Sequence, residues 1–101
     1  MTQAEEMMKT QKVRVIKLKT GEELIARFGH DSLNHSIVLN RPMSIQVVMQ
    51  PGGQPGIAMS PWIMSSGDEN FTIDSDEVLT KGKAGNETEK QYLSAVTGLT
   101  L

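Results

Sequence analysis

Two histidines and one aspartate lie within a span of six residues, at His30, Asp31 and His35. Imidazole and carboxylate groups can bind a metal ion, and they can also transfer protons as general acids and bases. A structural zinc site needs four ligands, and no fourth ligand stands near these three. The sequence also offers no nucleophile and no second carboxylate at a useful spacing. We therefore expect no metal, no cofactor and no catalytic residues, and we expect that the protein is not an enzyme.

The composition limits the classes of protein to which the chain can belong. With 101 residues, a net charge of −2 and no cysteine, it is predicted to form one domain without disulfides or thiolate chemistry. No segment has the roughly 18–20 apolar residues of a membrane span, and the acidic N-terminus is not typical of a signal peptide. We expect a cytoplasmic protein without a membrane partner, in which any nucleic-acid site is local.

The most regular part of the chain is residues 13–28, VRVIKLKTGEELIARF. The first seven residues are rich in β-branched side chains, and the residues from Leu24 to Phe28 follow the period of a half-buried strand. Gly21 lies between the two segments, where a tight turn favours a residue that tolerates positive φ. The pattern predicts a β-hairpin.

Further strand patterns follow at hairpin spacing. Residues 36–50, SIVLNRPMSIQVVMQ, predict a long strand with a bend or bulge at Pro42. Residues 51–56, PGGQPG, predict a loop. Two later strands are predicted around residues 57–65 and 77–82. The series predicts a mainly β fold, with about five strongly bent antiparallel strands in a small sheet or barrel.

Helical patterns flank the predicted barrel, which we place at residues 12–84. Residues 1–11 are predicted to form an N-terminal arm or short helix, because they begin with a sequence that resembles a capping box. Residues 85–101 are predicted to form a C-terminal helix and tail, in which Asn86 can cap the helix. The apolar face of that helix is predicted to contain Tyr92, Leu93 and Val96.

The hairpin resembles the first half of the Sm fold, the small five-stranded barrel shared by Sm, Sm-like and Hfq proteins. The family pattern has apolar residues before a turn glycine and apolar or small residues three, five and seven positions after it. The matching residues are Ile16, Leu18, Gly21, Leu24, Ala26 and Phe28. Asp31 and the segment NHSI that begins at Asn34 resemble the next part of the pattern, and IMSSGDEN resembles its Arg-Gly half-motif.

Other features resemble a narrower group, the Sm-like proteins encoded by tailed phages, including cyanophages. The shared features are the TGEE turn, the Pro61–Trp62 pair late in the barrel, and a C-terminal helix with an aromatic residue and a glycine. Two positions depart from the Sm pattern. Ala26 stands where the family has a glycine, and Ser66 stands before Gly67 where the family has an arginine that helps to clamp a base.

The resemblance implies a single-stranded RNA site. The implied RNA-binding residues are Asp31, Asn34, His35, Ser66 and Gly67. Planar side chains and loop amides are typical of such sites, because unpaired bases are stacked and hydrogen-bonded. The alternative is structural: Asn34 supports a turn in a polar loop, and Gly67 lies in an ordinary glycine turn.

The resemblance also implies self-assembly, because Sm subunits pair their edge strands and close a ring. It implies a homomeric ring of about five to seven subunits that close by cyclic symmetry, with contacts at residues 57–65 and 77–82. The expected interface residues, which could also be ordinary core, are Met59, Trp62, Met64, Val78 and Thr80. Basic residues that could form one face of the ring, or could simply be solvated, are Lys17, Lys19, Arg27, Arg41, Lys81 and Lys83.

The expected function is that of an Sm-like ring that binds single-stranded RNA as a scaffold. If the chain is phage-encoded, it is expected to act in the host cell cytoplasm. The alternative is a phage structural or assembly protein, or another protein-interaction module, that uses the barrel without binding RNA. Composition alone does not separate these two functions.

Overall fold

The structure is a computed structural model that describes residues 12–97. Within that range the chain forms six β-strands, a 3₁₀ turn at Ser75–Glu77 and one α-helix. The elements are β1 (Lys12–Leu18), β2 (Glu23–Asp31), β3 (Ser36–Met49), β4 (Pro55–Pro61), β5 (Asn70–Asp74), β6 (Val78–Lys83) and α1 (Asn86–Thr97). The arm or helix expected in residues 1–11 lies outside the described residues.

The six described strands form one antiparallel sheet in the order β4–β3–β2–β1–β6, with β5 also paired to β3. β5 pairs with Ser36–Asn40 and β4 pairs with Met43–Met49, so both lie along the same edge of β3. They act as one strand that is interrupted by residues 62–69. The predicted mainly β, antiparallel fold is confirmed. The strand count is six instead of about five because of this interruption.

The first hairpin forms as its sequence predicts. The Leu18 N–H donates to the Glu22 carbonyl at 2.9 Å, and the Gly21 N–H donates to the Leu18 carbonyl at 2.9 Å. Gly21 has φ +99°, a conformation that a residue with a Cβ rarely adopts. The turn sets the register of β1 against β2, in which Ile16 faces Leu24.

β3 bends at Arg41 and Pro42, where the proline predicted a bend. Arg41 has φ +49°, which turns the strand out of its extended path. The β2–β3 register shifts between Ile25 and Arg27, so Arg41 and Pro42 form a bulge in β3 opposite Ala26. Ala26 is buried, and its methyl group is therefore accommodated at the position where the Sm pattern has a glycine. The bend allows β3 to pair with two different strands on one side.

The apolar residues of the strands form two clusters, one on each face of the central strands. The first contains Ile16, Leu18, Leu24, Ala26, Ile37 and Leu39, with Phe28, Trp62, Ile73 and Val78 packed against it. The second contains Val13, Ile25 and Tyr92, with Met43, Ile45, Met59, Leu93 and Val96 among its half-buried neighbours. Helix α1 therefore covers the second face. Its predicted apolar face is confirmed.

Some predicted boundaries differ from the structure. β4 begins at Pro55, inside the predicted 51–56 loop, and it ends at Pro61, so residues 62–65 are not a strand. Residues after Pro61 turn away because Trp62 packs inward against the first cluster. β6 lies within one residue of the predicted 77–82 strand. Within residues 12–97, no helix has the length and apolar character needed to cross a membrane.

Candidate nucleic-acid interface

The loop between β2 and β3 is closed by its own polar side chains. The Asn34 Nδ2 donates to Asp31 Oδ2 at 2.6 Å, and the Asn34 backbone N–H lies 3.3 Å from Asp31 Oδ1. The hydrogen bond from the Asn34 side chain is the main reason that the pKa of Asp31 is lowered from its usual value. The Asn34 side-chain amide therefore supports the turn, and one of its two N–H donors is already used there.

His35 joins this loop to the 3₁₀ turn between β5 and β6. Its Nε2 lies 3.0 Å from Asp76 Oδ1, and its carbonyl accepts bonds from the Ser75 backbone N–H and hydroxyl, each at 3.0 Å. The hydrogen bond with Asp76, aided by the attraction of its charge, raises the pKa of His35. The same hydrogen bond lowers the pKa of Asp76. The His35 backbone has φ +52°, which directs the chain back into β3.

The structure does not bring Ser66 and Gly67 to this loop. The β3–β5 register pairs Ser36 with Asp74 at the loop end and Asn40 with Asn70 at the other end. These two pairs are four residues apart, or about 13 Å along a strand. Ser66 precedes Asn70 and lines a separate cavity of about 440 Å³ with Trp62 and Phe71. The five residues expected at one RNA site therefore divide between two places.

The residues that do face the Asn34 loop are Asp74, Ser75 and Asp76, and sequence reasoning missed them. A usable pattern exists: FTID is a short apolar strand that ends at Asp74–Ser75 and is followed by the last strand. The expectation relied on the glycine in IMSSGDEN, a segment that the structure places at the other end of β5 from the loop.

The electrostatics of the loop are acidic. Ligand atoms of His35, Asp74 and Asp76 all lie within 4.8 Å of one another, and all three side chains are exposed. Asp31, the last residue of β2, adds a third carboxylate beside the loop. Exposed carboxylates gather in this way without a cation, so we assign no metal here. The three residues first considered from the sequence, His30, Asp31 and His35, do not form such a group, because His35 pairs with Asp76. Three carboxylates also oppose the approach of a phosphate.

The residues expected at a subunit interface have different environments. Met59 packs in the second cluster beneath α1, while Trp62 and Val78 pack against the first. The Trp62 Nε1 donates to Glu22 Oε2 at 2.8 Å, and its ring contacts Phe71 edge-on at 6.3 Å. Met64 is 78% exposed, outside any strand. Thr80 is exposed on β6, at the end of the strand order.

A family model of the Sm-like domain matches residues 15–93, from within β1 to within α1. The chain belongs to the Sm-like domain family. The match covers the hairpin, the bent β3 strand and the loop that joins β5 to β6, and so the Sm resemblance of the sequence is confirmed. No curated protein sequence matches the chain. The family match does not separate phage members of the Sm-like family from others, and the phage origin stays a prediction.

Proposed function

We propose that this Sm-like protein assembles into a homomeric ring and that the ring binds single-stranded RNA. The observation that carries the proposal is that, within residues 12–97, the two outer strands, β4 and β6, each lack a second strand partner. Among the described residues, β4 pairs only with β3 and β6 pairs only with β1, so each has one edge without a strand partner, and on β4 the Gln91 side chain donates to the Ile57 carbonyl. Open edges readily pair with another chain, and natural proteins cover or block them. Pairing of β4 in one subunit with β6 in the next would cover both.

The side chains on these edges support the same contact. Ile57 on β4 is 37% exposed and Leu79 on β6 is 64% exposed, although both are apolar. Each subunit would contribute a different strand, which makes the contact heterologous. Repetition of a heterologous contact gives a ring when the rotation closes, and the Sm resemblance favours about five to seven subunits. A ring would also repeat any weak RNA contact and raise the overall affinity.

The assembly is tested by native mass spectrometry and by light scattering after size-exclusion chromatography. We expect one closed oligomer for the wild-type protein. Leu79→Lys places a charge on the open edge of β6 and is expected to give monomers. The matched control is Leu33→Lys, because Leu33 is 87% exposed in the β2–β3 loop, away from both edges. A monomeric wild type, or equal dissociation of both variants, would contradict the ring.

RNA binding is tested by retention of a labelled oligouridylate or oligoadenylate on the intact protein. Phosphate contacts release counterions, so retention is expected at low salt and should weaken steeply as salt rises. Failure of both RNAs to bind at low salt would exclude this part of the proposal. Asn34→Ala and His35→Ala test whether the β2–β3 loop takes part, since a loop contact requires that retention falls while the oligomer remains intact.

Binding of another protein is the second candidate function, and the outer end of the β3–β4 hairpin favours it. Val47 is 73% exposed and Met49 is 69% exposed, beyond the part of the hairpin that α1 covers. Exposed apolar strand residues of this kind are typical of contact surfaces. Two results together would support this function instead. The wild-type ring would fail to bind RNA, and a protein that copurifies with it would be lost after Val47→Ser and Met49→Ser.

A further inference from the structure

A basic groove lies where β1 begins, β6 ends and α1 starts. The groove is a cavity of about 540 Å³ whose charged lining consists of Lys12, Arg14, Arg27, Lys83 and Glu89. Four cationic residues and one acidic residue therefore line the groove. This is a concentration of positive charge in a chain whose net charge is −2. It lies at the opposite end of β1 from the Glu23 turn, since Lys12 pairs with Phe28 and Lys17 with Glu23.

The cations of the groove are not neutralised within the described part of the chain. The ion pairs formed there are His35–Asp76, Arg41–Glu69 and Lys90–Glu87, and none includes a groove residue. Arg14 and Lys83 also stand directly opposite each other in the β1–β6 ladder. Like charges at paired strand positions destabilise a sheet. An anion bound between them would remove this repulsion.

The positive charge continues along the sheet. A second cavity of about 380 Å³ shares Lys83 with the groove and adds Lys17 and Lys81, with Glu23 as its acidic residue. Lys81 lies over the Phe28 ring, with its Nζ 4.6 Å from the ring centroid. The two cavities together form a band of cations beside β6. A band suits an extended polyanion better than a single small anion.

Ring assembly would not neutralise this band. The strand proposed to pair with β6 is β4, and its sequence PGIAMSP contains no charged residue. The band would therefore remain cationic beside every subunit contact and would repeat around the ring. The β2–β3 loop has the opposite character, because Asp31, Asp74 and Asp76 give it negative charge. Within the described residues, the cationic band, which suits phosphate, is thus separate from the acidic β2–β3 loop, which does not.

We propose that the basic groove binds the phosphate backbone of single-stranded RNA, and that the β2–β3 loop does not hold the phosphates. This inference rests on the proposed function, since it names the surface through which the ring contacts RNA. Binding through phosphates is independent of base sequence, so different RNAs should be affected equally by changes in the groove. Repetition around the ring would supply affinity without a base-specific pocket.

The test compares two double variants of the intact protein. Arg14→Gln with Lys83→Gln removes two groove cations, and the matched control Lys19→Gln with Lys90→Gln removes two exposed cations elsewhere. A labelled oligouridylate and a labelled oligoadenylate are titrated at several salt concentrations, after native mass spectrometry has shown that each variant keeps the wild-type oligomer. Because both variants lose two positive charges, a difference in their RNA affinity reflects where the charges lie and not the net charge of the protein.

We expect the groove variant to bind both RNAs about 10- to 30-fold more weakly near 0.1 M salt, because each phosphate contact contributes about 0.7 to the slope of log K against log salt. The slope itself should decrease by about 1.4. The control should stay close to wild type. If the wild type binds RNA but both variants lose affinity equally, or the groove variant loses none, the groove is not the site. If the wild type binds neither RNA, the proposed function itself fails and the groove proposal fails with it.

Discussion

The phenol oxygen of Tyr92 lies 3.0 Å from the carbonyl oxygens of both Asn40 and Arg41. Arg41 lies at the bend of β3 and Asn40 directly precedes it, at the last paired position before the strand pairing is interrupted. Tyr92 is completely buried, so water cannot replace its hydroxyl as a donor. A single side chain of α1 therefore both fills the second cluster and satisfies the backbone at the bend.

Tyr92→Phe should destabilise the protein although it removes only one oxygen atom. The ring still fills the cluster, but the carbonyls of Asn40 and Arg41 lose the one O–H that they share, and the Asn40 carbonyl stays buried. We expect a loss of about 1–3 kcal/mol in the free energy of unfolding. Urea unfolding should show a lower midpoint with an unchanged m-value. Wild-type stability in this variant would mean that the two carbonyl groups do not depend on the hydroxyl.

The same contact predicts a loss of stability at alkaline pH. Burial raises the pKa of Tyr92 above its ordinary value of 10.0. The folded state then holds the phenol proton more tightly than the unfolded state, so Tyr92 contributes stability below about pH 10 that is lost as pH rises through the folded pKa. Urea unfolding across this range should show a decline for wild type that is less steep for Tyr92→Phe. Parallel curves would contradict the prediction.

Arg41 offers a test of backbone strain at the bend. Its guanidinium contacts the Val96 carbonyl and lies 2.7 Å from Glu69 Oε1, and both contacts are lost in Arg41→Ala and in Arg41→Gly. The two variants differ in how well they tolerate φ +49°. We expect Arg41→Gly to be more stable than Arg41→Ala by about 1–2 kcal/mol, because glycine avoids the left-handed penalty.

The matched control for Arg41 is Arg27, which faces Asn40 across the β2–β3 ladder and is not among the residues with positive φ. There the order should reverse, since glycine weakens an extended strand by about 0.5–1 kcal/mol relative to alanine. Thermal or urea unfolding of the four variants measures both differences. If the glycine and alanine variants rank in the same order of stability at both positions, the positive φ of Arg41 does not decide which residue is more stable there.

Local patterns in the sequence were sufficient for the hairpin and for α1. Alternation and Gly21 define the first turn, and the apolar face of Tyr92, Leu93 and Val96 defines the helix. The bend at β3 was also predictable, because Pro42 removes a backbone donor. What local pattern could not give is the division of one strand into β4 and β5. That depends on Trp62, whose side chain contacts Phe71 and donates to Glu22, which is 40 residues away in the sequence.

The candidate site was predicted less completely, for a similar reason. The sequence placed Asp31, Asn34 and His35 near one another, and in the structure Asp31 ends β2 and accepts from Asn34 in the loop that follows. Their partners across the sheet depend on the β3–β5 register, and Asp74 and Asp76 were therefore missed. The basic groove depends on the β1–β6 ladder, which joins Arg14 to Lys83 across the whole chain. Pairings of such large sequence separation cannot be inferred from local periodicity.

The contact between His35 and Asp76 predicts a pH dependence of the loop. Hydrogen bonding and charge raise the pKa of His35 from 6.5 and lower the pKa of Asp76 from 3.8. The His35 contribution is complete below its unfolded pKa and is lost as pH rises through its folded pKa. The Asp76 contribution is present above its unfolded pKa and is lost as pH falls through its folded pKa. The pair is therefore strongest between about pH 4 and 6.5.

Asp76→Asn should lower the pKa of His35 toward 6.5, because it removes the charged acceptor while keeping a side chain of similar size. The measurement is an NMR titration of the His35 ring protons, assigned with the His35→Gln variant. Asp68→Asn is the control, since Asp68 lines the Trp62 cavity at the other end of β5 and should leave His35 unchanged. If the two aspartate variants give the same His35 pKa, Asp76 does not hold the proton on His35. A selective decrease in Asp76→Asn means that the β2–β3 loop and the turn before β6 share one proton-linked contact.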